Sequence, residues 1–497
     1  MPLPDASHLP ALRPVEWTAL GRRLKDIGLT GERARAVAGI APSLPDAMRL
    51  PLQHWHVRRA RDKAGLAMRM LMFGHPVTLR QAEAVLGAAP LRRLVECGFV
   101  VTRREGLVSP FSLSIVNDLY IVCDDLTHGG DAVMGAGQTT SDLCQAAHPT
   151  RPIDRLLDLG CGAGTAALLF AGWAATSVGV DVNPRAILFS RLNATLNGIE
   201  QVEFREGDLF GPVEDDVFDL IVSQPPFVAR PPSVAPSTFL HGGLRGDELP
   251  VRVLGELPRR LRPRGRAVVL VEWPLVDDRP LEERVQEGLG DGEDVNLLVL
   301  RFPETDLDDY CARYAAAARI GLGRAFEREA RGLRSHLERL SVRGLRLTLN
   351  VVQRRDRGPR WSTTVDVPRG SVRLVTSARI DALIAAHDLL AGPDERLLEA
   401  TLRAVDGVLA TEHGIGDPAQ ETVRLRPAAE TLAAETEMNA DAARLLTLVH
   451  SAPDVRAATT AFATAKGLDP TGAQAKVLEG VKDALRRGLL EPATGVP

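Results

Sequence analysis

The sequence predicts an α/β fold: a seven-stranded, mainly parallel sheet wound on both faces by helices, with a further unit on either side. Three observations carry this expectation. Between Arg155 and about Arg355, short apolar runs alternate with segments of helical spacing, the order that parallel strands impose because each needs a crossover. The first run ends in three closely spaced glycines, Gly160, Gly162 and Gly164. The chain has 497 residues, whereas a single core seldom grows past about 250–300.

The predicted strands are Arg155–Leu159, Ser177–Val182, Val202–Glu206, Leu220–Ser223, Ala267–Glu272, Leu297–Arg301 and Leu345–Gln353. A long helical stretch, Asp309 to Leu340, precedes the last, which suits an antiparallel edge strand. Upstream, amphipathic segments run from Trp17 to Ile27 and from Trp55 to Phe73. Thr78 is placed to cap a helix through Leu86, a second helix runs from Pro90 to Cys97, and alternating strands follow from Phe99 to Val122. Two short helices and a strand pair outline a winged-helix-like unit. Downstream, the turn-rich Arg355–Trp361 and a short strand-like piece lead into helices from Ser377, and Ala440–Val449, Val455–Lys466 and Ala473–Leu485 read as a closing helical triplet with a strand at Gly488–Leu490. The expected domains are 1–145, helical and winged-helix-like; 146–356, the sheet; and 357–497, mainly helical.

Composition narrows the function. With 45% apolar and 25% charged residues, each domain can bury a core, which excludes a disordered or fibrous chain. The formal charge is −4, so no chain-wide basic field drives nucleic-acid binding. The first 150 residues carry a weak +3 and the remainder −7. A cap over the next domain, or a docking module for a non-nucleic partner, suits the N-terminal unit better than a nucleic-acid binder. Only five of the 60 basic residues are lysine, so arginine clusters as such carry little weight. Five cysteines without a CxxC pair argue against a disulfide framework or a zinc site and for a reducing, cytoplasmic setting. No basic segment followed by an apolar stretch opens the chain, so no signal peptide is expected. The uncharged run Leu159–Val180 contains five glycines and reads as strand, loop and helix rather than a membrane span.

The candidate chemistry lies at strand ends. Glycines at 160, 162 and 164 let the backbone turn sharply and approach a ligand, while the following helix offers unpaired amide donors. Asp181 ends the second strand about twenty residues on, where a carboxylate can accept both hydroxyl protons of a ribose. Asp208 and Leu209 follow the third strand, and Gln224-Pro225-Pro226-Phe227 follows the fourth. The dinucleotide fingerprint GxGxxG is not met, since the sixth place counted from Gly160 holds Thr165 rather than glycine, which disfavours a dehydrogenase. His54-Trp55-His56 would face different sides of a helix and is read as structural. Glu272-Trp273-Pro274 is read either as pocket wall or as a strand-end turn with a packed indole.

As a set, Asp158-Leu-Gly-Cys-Gly-Ala-Gly164, Asp181-Val-Asn183-Pro, Asn193-Ala-Thr-Leu-Asn197-Gly, Gly207-Asp208-Leu209-Phe210 and Gln224-Pro-Pro-Phe227 resemble the class I S-adenosylmethionine-dependent methyltransferases, which share a Rossmann-like sheet. The branch is that of the release-factor glutamine, adenine-N6 and small-domain rRNA guanine methyltransferases. The resemblance covers about residues 130 to 355 and implies S-adenosylmethionine as cofactor. By position it implies Gly160, Gly162 and Gly164 around the methionine end, Asp158 near its amino group, Asp181 at the ribose and Asp208 at the adenine, with Asn183 and Leu209 also in the cofactor site. Gly135–Leu143 resembles the loop that closes over the site.

In that branch the fourth motif is usually Asn-Pro-Pro-Tyr or Asp-Pro-Pro-Tyr. A planar amide or exocyclic amine is a poor nucleophile; a side-chain carbonyl and the first proline carbonyl hold its hydrogens and aim it at the methyl group. Here Gln224 sets its carbonyl on a stem one methylene longer, Pro225 keeps the backbone carbonyl, and Phe227 keeps an aromatic face without a hydroxyl. Gln224, Pro225 and Phe227 are therefore the expected catalytic residues, Gln224 also touching cofactor, and no metal is expected. The expected acceptor is a planar nitrogen of a protein, peptide or small metabolite, ranked above an rRNA or tRNA base. A non-catalytic cofactor-binding scaffold is the alternative from another class. No membrane association is expected.

Overall fold

The computed structural model describes residues 3–39, 46–125, 131–276, 279–290, 294–318, 323–368, 375–414, 417–428 and 431–493. The N-terminal unit runs through α1 (Pro14–Asp26), α2 (Gly31–Ala38), α3 (Asp46–Arg59), α4 (Lys63–Ala67), α5 (Leu79–Leu86) and α6 (Ala88–Glu96), then the hairpins β1 (Val101–Arg103)–β2 (Gly106–Val108) and β3 (Ser112–Val116)–β4 (Leu119–Cys123). Thr78 caps α5 with Gln81 in a reciprocal capping box, at 3.3 and 2.9 Å. The helix expected from Trp55 to Phe73 is broken instead. Asp62 leaves the helical path to cap α4 through the Gly65 amide at 2.7 Å, and the end of α4 widens into a π turn over Met68–Met72.

Next come α7 (Gln138–Ala147), β5 (Ile153–Leu159), α8 (Thr165–Phe170), β6 (Ala174–Asp181), α9 (Pro184–Asn197), β7 (Val202–Glu206), β8 (Phe218–Ser223), the two-stranded β9 (Val228–Ala229) and β10 (His241–Gly243), α10 (Glu248–Arg260), β11 (Leu261–Val276), α11 (Leu281–Gly288), β12 (Val295–Asp306), α12 (Leu307–Ala318), α13 (Arg324–Arg339), β13 (Val342–Arg354) and β14 (Ser362–Asp366). The large sheet has the order β14-β12-β13-β11-β8-β5-β6-β7. The strands are parallel except β13, which runs against both its neighbours.

Two expectations are corrected here. The sheet has eight strands rather than seven, and the closing strand β13 is inserted between β11 and β12 instead of forming an edge. The eighth, β14, pairs parallel to β12 over Leu297–Arg301. It lies past residue 356, as does α14 (Ser377–Ala391), whose Ile380 and Ile384 share a core with Leu298 and Leu300 of the sheet. The sheet and its cover thus continue to about residue 391, and the Arg355–Trp361 turn joins two strands of one layer.

The strand period of two decides which side chain enters which core. Leu156 packs with α7, α8 and α14 on one face, while Leu157 packs with α10 to α13 on the other. Helices α8 and α9 share a third core with the N-terminal unit, through Ala167, Phe189 and Leu192 against residues such as Leu20, Leu24 and Tyr120. Gly21 of α1 is required at this seam: a Cβ there would sit 1.9 Å from the Leu196 carbonyl oxygen of α9. Gly21→Val is expected to cost about 1–3 kcal/mol by overpacking, read as a lower urea midpoint at unchanged slope.

The chain continues through α15 (Asp394–Leu398), β15 (Leu402–Ala404), β16 (Gly407–Gly414), β17 (Asp417–Pro427), β18 (Thr436–Met438), α16 (Ala440–Ser451), α17 (Val455–Lys466), α18 (Pro470–Arg486) and β19 (Leu490–Pro492). The triplet α16–α18 packs on its own core, and β19 pairs with β15. A three-stranded antiparallel sheet, β16-β17-β18, stands in the stretch expected to be mainly helical. The run Leu159–Val180 is divided among β5, the glycine loop, α8 and β6, and no helix among the described residues is long and apolar enough to cross a membrane.

Candidate active site

One cleft, with a cavity volume of about 200 Å³, opens at the carboxyl ends of β5, β6, β7 and β8 and is lined by the glycine loop, Asp158, Asp181, Asn183, Asp208, Leu209, Gln224 and Pro225. This is the edge at which parallel sheets present ligands. Gly160, Gly162 and Gly164 have φ of 74°, 52° and 81°, a region that side-chain-bearing residues avoid. An added Cβ at Gly160 or Gly162 would meet nothing within 4 Å, whereas at Gly164 it would meet Ser190 and Phe204 at 2.9 and 3.0 Å. The first two glycines leave open space above the loop; the third lets α8 settle on α9.

Asp181 organises the loop from below. Its carboxylate accepts the Gly162 amide at 2.8 Å and the Asn183 amide at 2.9 Å, and burial pushes its pKa above the ordinary value despite these bonds. Asp158 is more deeply enclosed, 5% exposed. It accepts the Ala167 amide at 2.9 Å, and burial, with the nearby Asp181 charge, pushes it up to about 7. Asn183 also borders the cleft, but its side chain caps α9 through the Arg185 amide at 2.9 Å and donates to the Asp131 carbonyl at 3.0 Å. Asp208 is exposed and bonded to Arg252 of α10 at 3.0 Å. Leu209, at φ 47°, is turned sharply beside it.

At the end of β8, the Gln224 amide nitrogen donates to the Thr139 hydroxyl of α7 at 3.0 Å. No described residue donates to the Gln224 carbonyl oxygen, which is left as an acceptor beside Pro225. Phe227 departs from expectation. Its ring is only 9% exposed and packs in the core with Val228 and Ala229, because the β9–β10 pairing draws the chain after Pro226 under the cleft floor. The aromatic residue that does line the cleft is Phe239, with Thr238, Met134 and Thr140. Sequence reasoning missed Phe239 because it lies in an irregular loop; Thr139 was within the segment read as a closing loop.

The weaker candidates resolve as packing. Trp273 is fully buried within β11 and donates to Thr348 at 3.1 Å. Glu272 is bonded to Arg313 and Tyr314 at 3.2 and 2.9 Å, away from the cleft. His54 meets His75, ring nitrogens 2.9 Å apart, and among the described residues no group of three or more His, Cys, Asp or Glu is placed to hold a metal.

Residues 152–289 match the model of a family described as a methyltransferase domain. The ribosomal protein uL3 glutamine methyltransferase of Bradyrhizobium diazoefficiens is 36% identical over 129 residues, 24% of this chain and 40% of that protein. The release factor glutamine methyltransferase of Aliivibrio fischeri is 42% identical over 84 residues, 16% and 30% of the two chains. That of Xylella fastidiosa is 35% identical over 130 residues, 24% and 47%. The chain thus spans less than half the length of each of these curated relatives.

Proposed function

We propose that this chain, which carries a class I S-adenosylmethionine-dependent methyltransferase domain of the glutamine-methyltransferase branch, methylates a planar amide nitrogen of a protein. The observation that carries the reading is Gln224. Its amide nitrogen is engaged by Thr139 while its carbonyl is left unengaged in the cleft that also holds the glycine loop and Asp181. Glutamine methyltransferase activity, in the relatives' names, supports a protein amide over a metabolite or a nucleic-acid base.

The donor set suits S-adenosylmethionine. Open space above Gly160 and Gly162 admits a ligand close to the backbone, Asp181 presents a buried carboxylate for ribose hydroxyls, and Asp158 offers negative charge to an ammonium group. When bound, that cofactor supplies an electrophilic methyl group on a sulfonium. The protein's part is to hold the acceptor. The Gln224 carbonyl and the Pro225 backbone carbonyl accept the two amide N–H bonds, fixing the nitrogen in line and polarising it. The carboxylates that line the cleft, Asp158, Asp181 and Asp208, are assigned to the cofactor, and no histidine or lysine lines it among the described residues, so the displaced proton leaves to solvent after transfer.

Thr139 then acts as a positioning residue. Thr139→Ala is expected to lower kcat about 3- to 10-fold, the worth of roughly one neutral hydrogen bond, with cofactor affinity unchanged; Thr139→Ser should restore the rate. The function itself is tested with methyl-labelled cofactor and fractionated lysate. Label in a protease-sensitive pool, lost on Gln224→Ala, supports the proposal. Label in a ribonuclease-sensitive or low-molecular-weight pool replaces the acceptor, and cofactor binding without turnover on any pool would favour the scaffold reading.

A further inference from the structure

An amide held through its two N–H bonds by Gln224 and Pro225 is gripped at its edge, which leaves both of its flat faces open. Water standing on those faces would compete for the same carbonyls. Phe227 cannot cover them, because its ring is packed in the core beneath the cleft. Phe239 is the only aromatic residue that lines the cleft among the described residues.

Three observations separate Phe239 from a packing residue. It is half-buried and belongs to none of the four hydrophobic cores, whereas its neighbour Leu240 packs against the one beneath the cleft. It also stands on the acceptor side. β10 runs parallel to β9 with His241 abreast of Val228, and the Leu240 carbonyl accepts the Val228 amide at 2.9 Å, so the residue before Leu240 lies toward Pro226 and the Pro225 carbonyl. Finally, it is held in place. The Ser237 carbonyl accepts the His241 amide at 3.1 Å and the His241 imidazole accepts the Ser237 amide at 3.0 Å, which closes a tight turn with Thr238 and Phe239 inside it. The Thr238 hydroxyl donates to the Asp131 carboxylate at 3.2 Å, and the Asp131 carbonyl accepts the Asn183 side chain at 3.0 Å. The turn is thereby tied to the wall that bears the cofactor residues.

We propose that Phe239 is the aromatic wall of the acceptor subsite, its ring lying against one face of the amide whose edge Gln224 and Pro225 hold. A ring on that face excludes water and favours a flat group over a tetrahedral one. Thr238 and Asp131 are positioning residues that fix the ring. The inference rests on the protein-amide reading above and adds to it a residue that binds the acceptor without touching the reacting nitrogen's hydrogens.

The test follows methyl label from S-adenosylmethionine into the protease-sensitive fraction of lysate at rising amounts of that fraction, with Gln224→Ala run alongside. At limiting acceptor Phe239→Ala should label about 3- to 10-fold more slowly, the worth of an aromatic contact, and should approach the wild-type rate as acceptor is raised. Gln224→Ala should stay slow throughout. Phe239→Leu, apolar but without a flat face, should fall between, and Phe239→Tyr should restore the rate. Thr238→Val keeps the shape and loses the hydroxyl, so it should raise the acceptor requirement about 2- to 5-fold. Cofactor affinity by calorimetry should stay within about twofold in the Phe239 and Thr238 variants, and the thermal melt of Phe239→Ala should not move, since the ring belongs to no core. A slow Gln224→Ala beside a Phe239→Ala that labels as wild type would overturn this inference alone. So would weakened cofactor binding in Phe239→Ala, which puts the ring against the nucleoside, or Phe239→Leu labelling as fast as Phe239→Tyr. Wild-type label outside the protease-sensitive fraction, or in no fraction, would overturn the protein-amide reading and this inference with it.

Discussion

Replacing Gln224 by alanine is expected to reduce methyl transfer about 10²- to 10³-fold, the range seen when one preorganised polar partner of a reacting group is removed, while cofactor affinity measured by calorimetry stays within about threefold. The separation follows from position. Gln224 stands at the end of β8 beside Pro225, and its only side-chain bond among the described residues is to Thr139 at 3.0 Å. The glycine loop and Asp181 are held by the Gly162 and Asn183 amides instead. Gln224→Asn keeps a carbonyl but withdraws it by one methylene, out of reach of Thr139. A displacement of about 1 Å can cost on the order of 10²-fold, so the asparagine variant should fall between alanine and Thr139→Ala. A wild-type rate in Gln224→Ala would show that the acceptor is held elsewhere, and the first place to look would be Phe239 and Thr238 on the same cleft wall.

What the sequence makes legible here is whatever the chain places at the ends of parallel strands. The glycine loop, Asp181, Asp208 and Gln224-Pro225 each follow an apolar run, and parallel pairing brings such ends to one edge without further information. Phe227 is different. Two residues past Pro225, its side depends on the short β9–β10 pairing, a contact with no periodic signal in a stretch rich in proline and serine. The eighth strand, Ser362–Asp366, is legible as a short strand-like piece, but it is polar and β-branched with no buried residue, so nothing in its pattern assigns it to the large sheet; its pairing with β12 does. The hairpin β16–β17 was hidden because Val408 and Leu409 are both exposed, which breaks the alternation expected of a strand.

Asp158 connects stability to binding. Burial and the Asp181 charge hold its folded pKa at about 7 against an ordinary 3.8. A raised carboxyl pKa means that the folded protein binds the proton more tightly than the unfolded chain. Its contribution to stability is therefore fully present below about pH 4 and is lost as pH rises through 7. Asp158→Asn removes the charge and keeps an acceptor for the Ala167 amide, so the free variant should be more stable than wild type at pH 8, by up to a few kcal/mol, and equal to it near pH 4. Under the proposed function the carboxylate has a task that this substitution abolishes. The ammonium of the bound cofactor favours ionised Asp158 and draws its proton off, so wild-type affinity should weaken by about tenfold per pH unit below 7, with proton release detectable by calorimetry in buffers of different ionisation enthalpy. The asparagine variant should bind more weakly than wild type at pH 8 and with little dependence on pH. A flat wild-type profile from pH 5.5 to 8, or an asparagine variant that binds as tightly as wild type, would remove Asp158 from the cofactor site and leave its buried charge without a function.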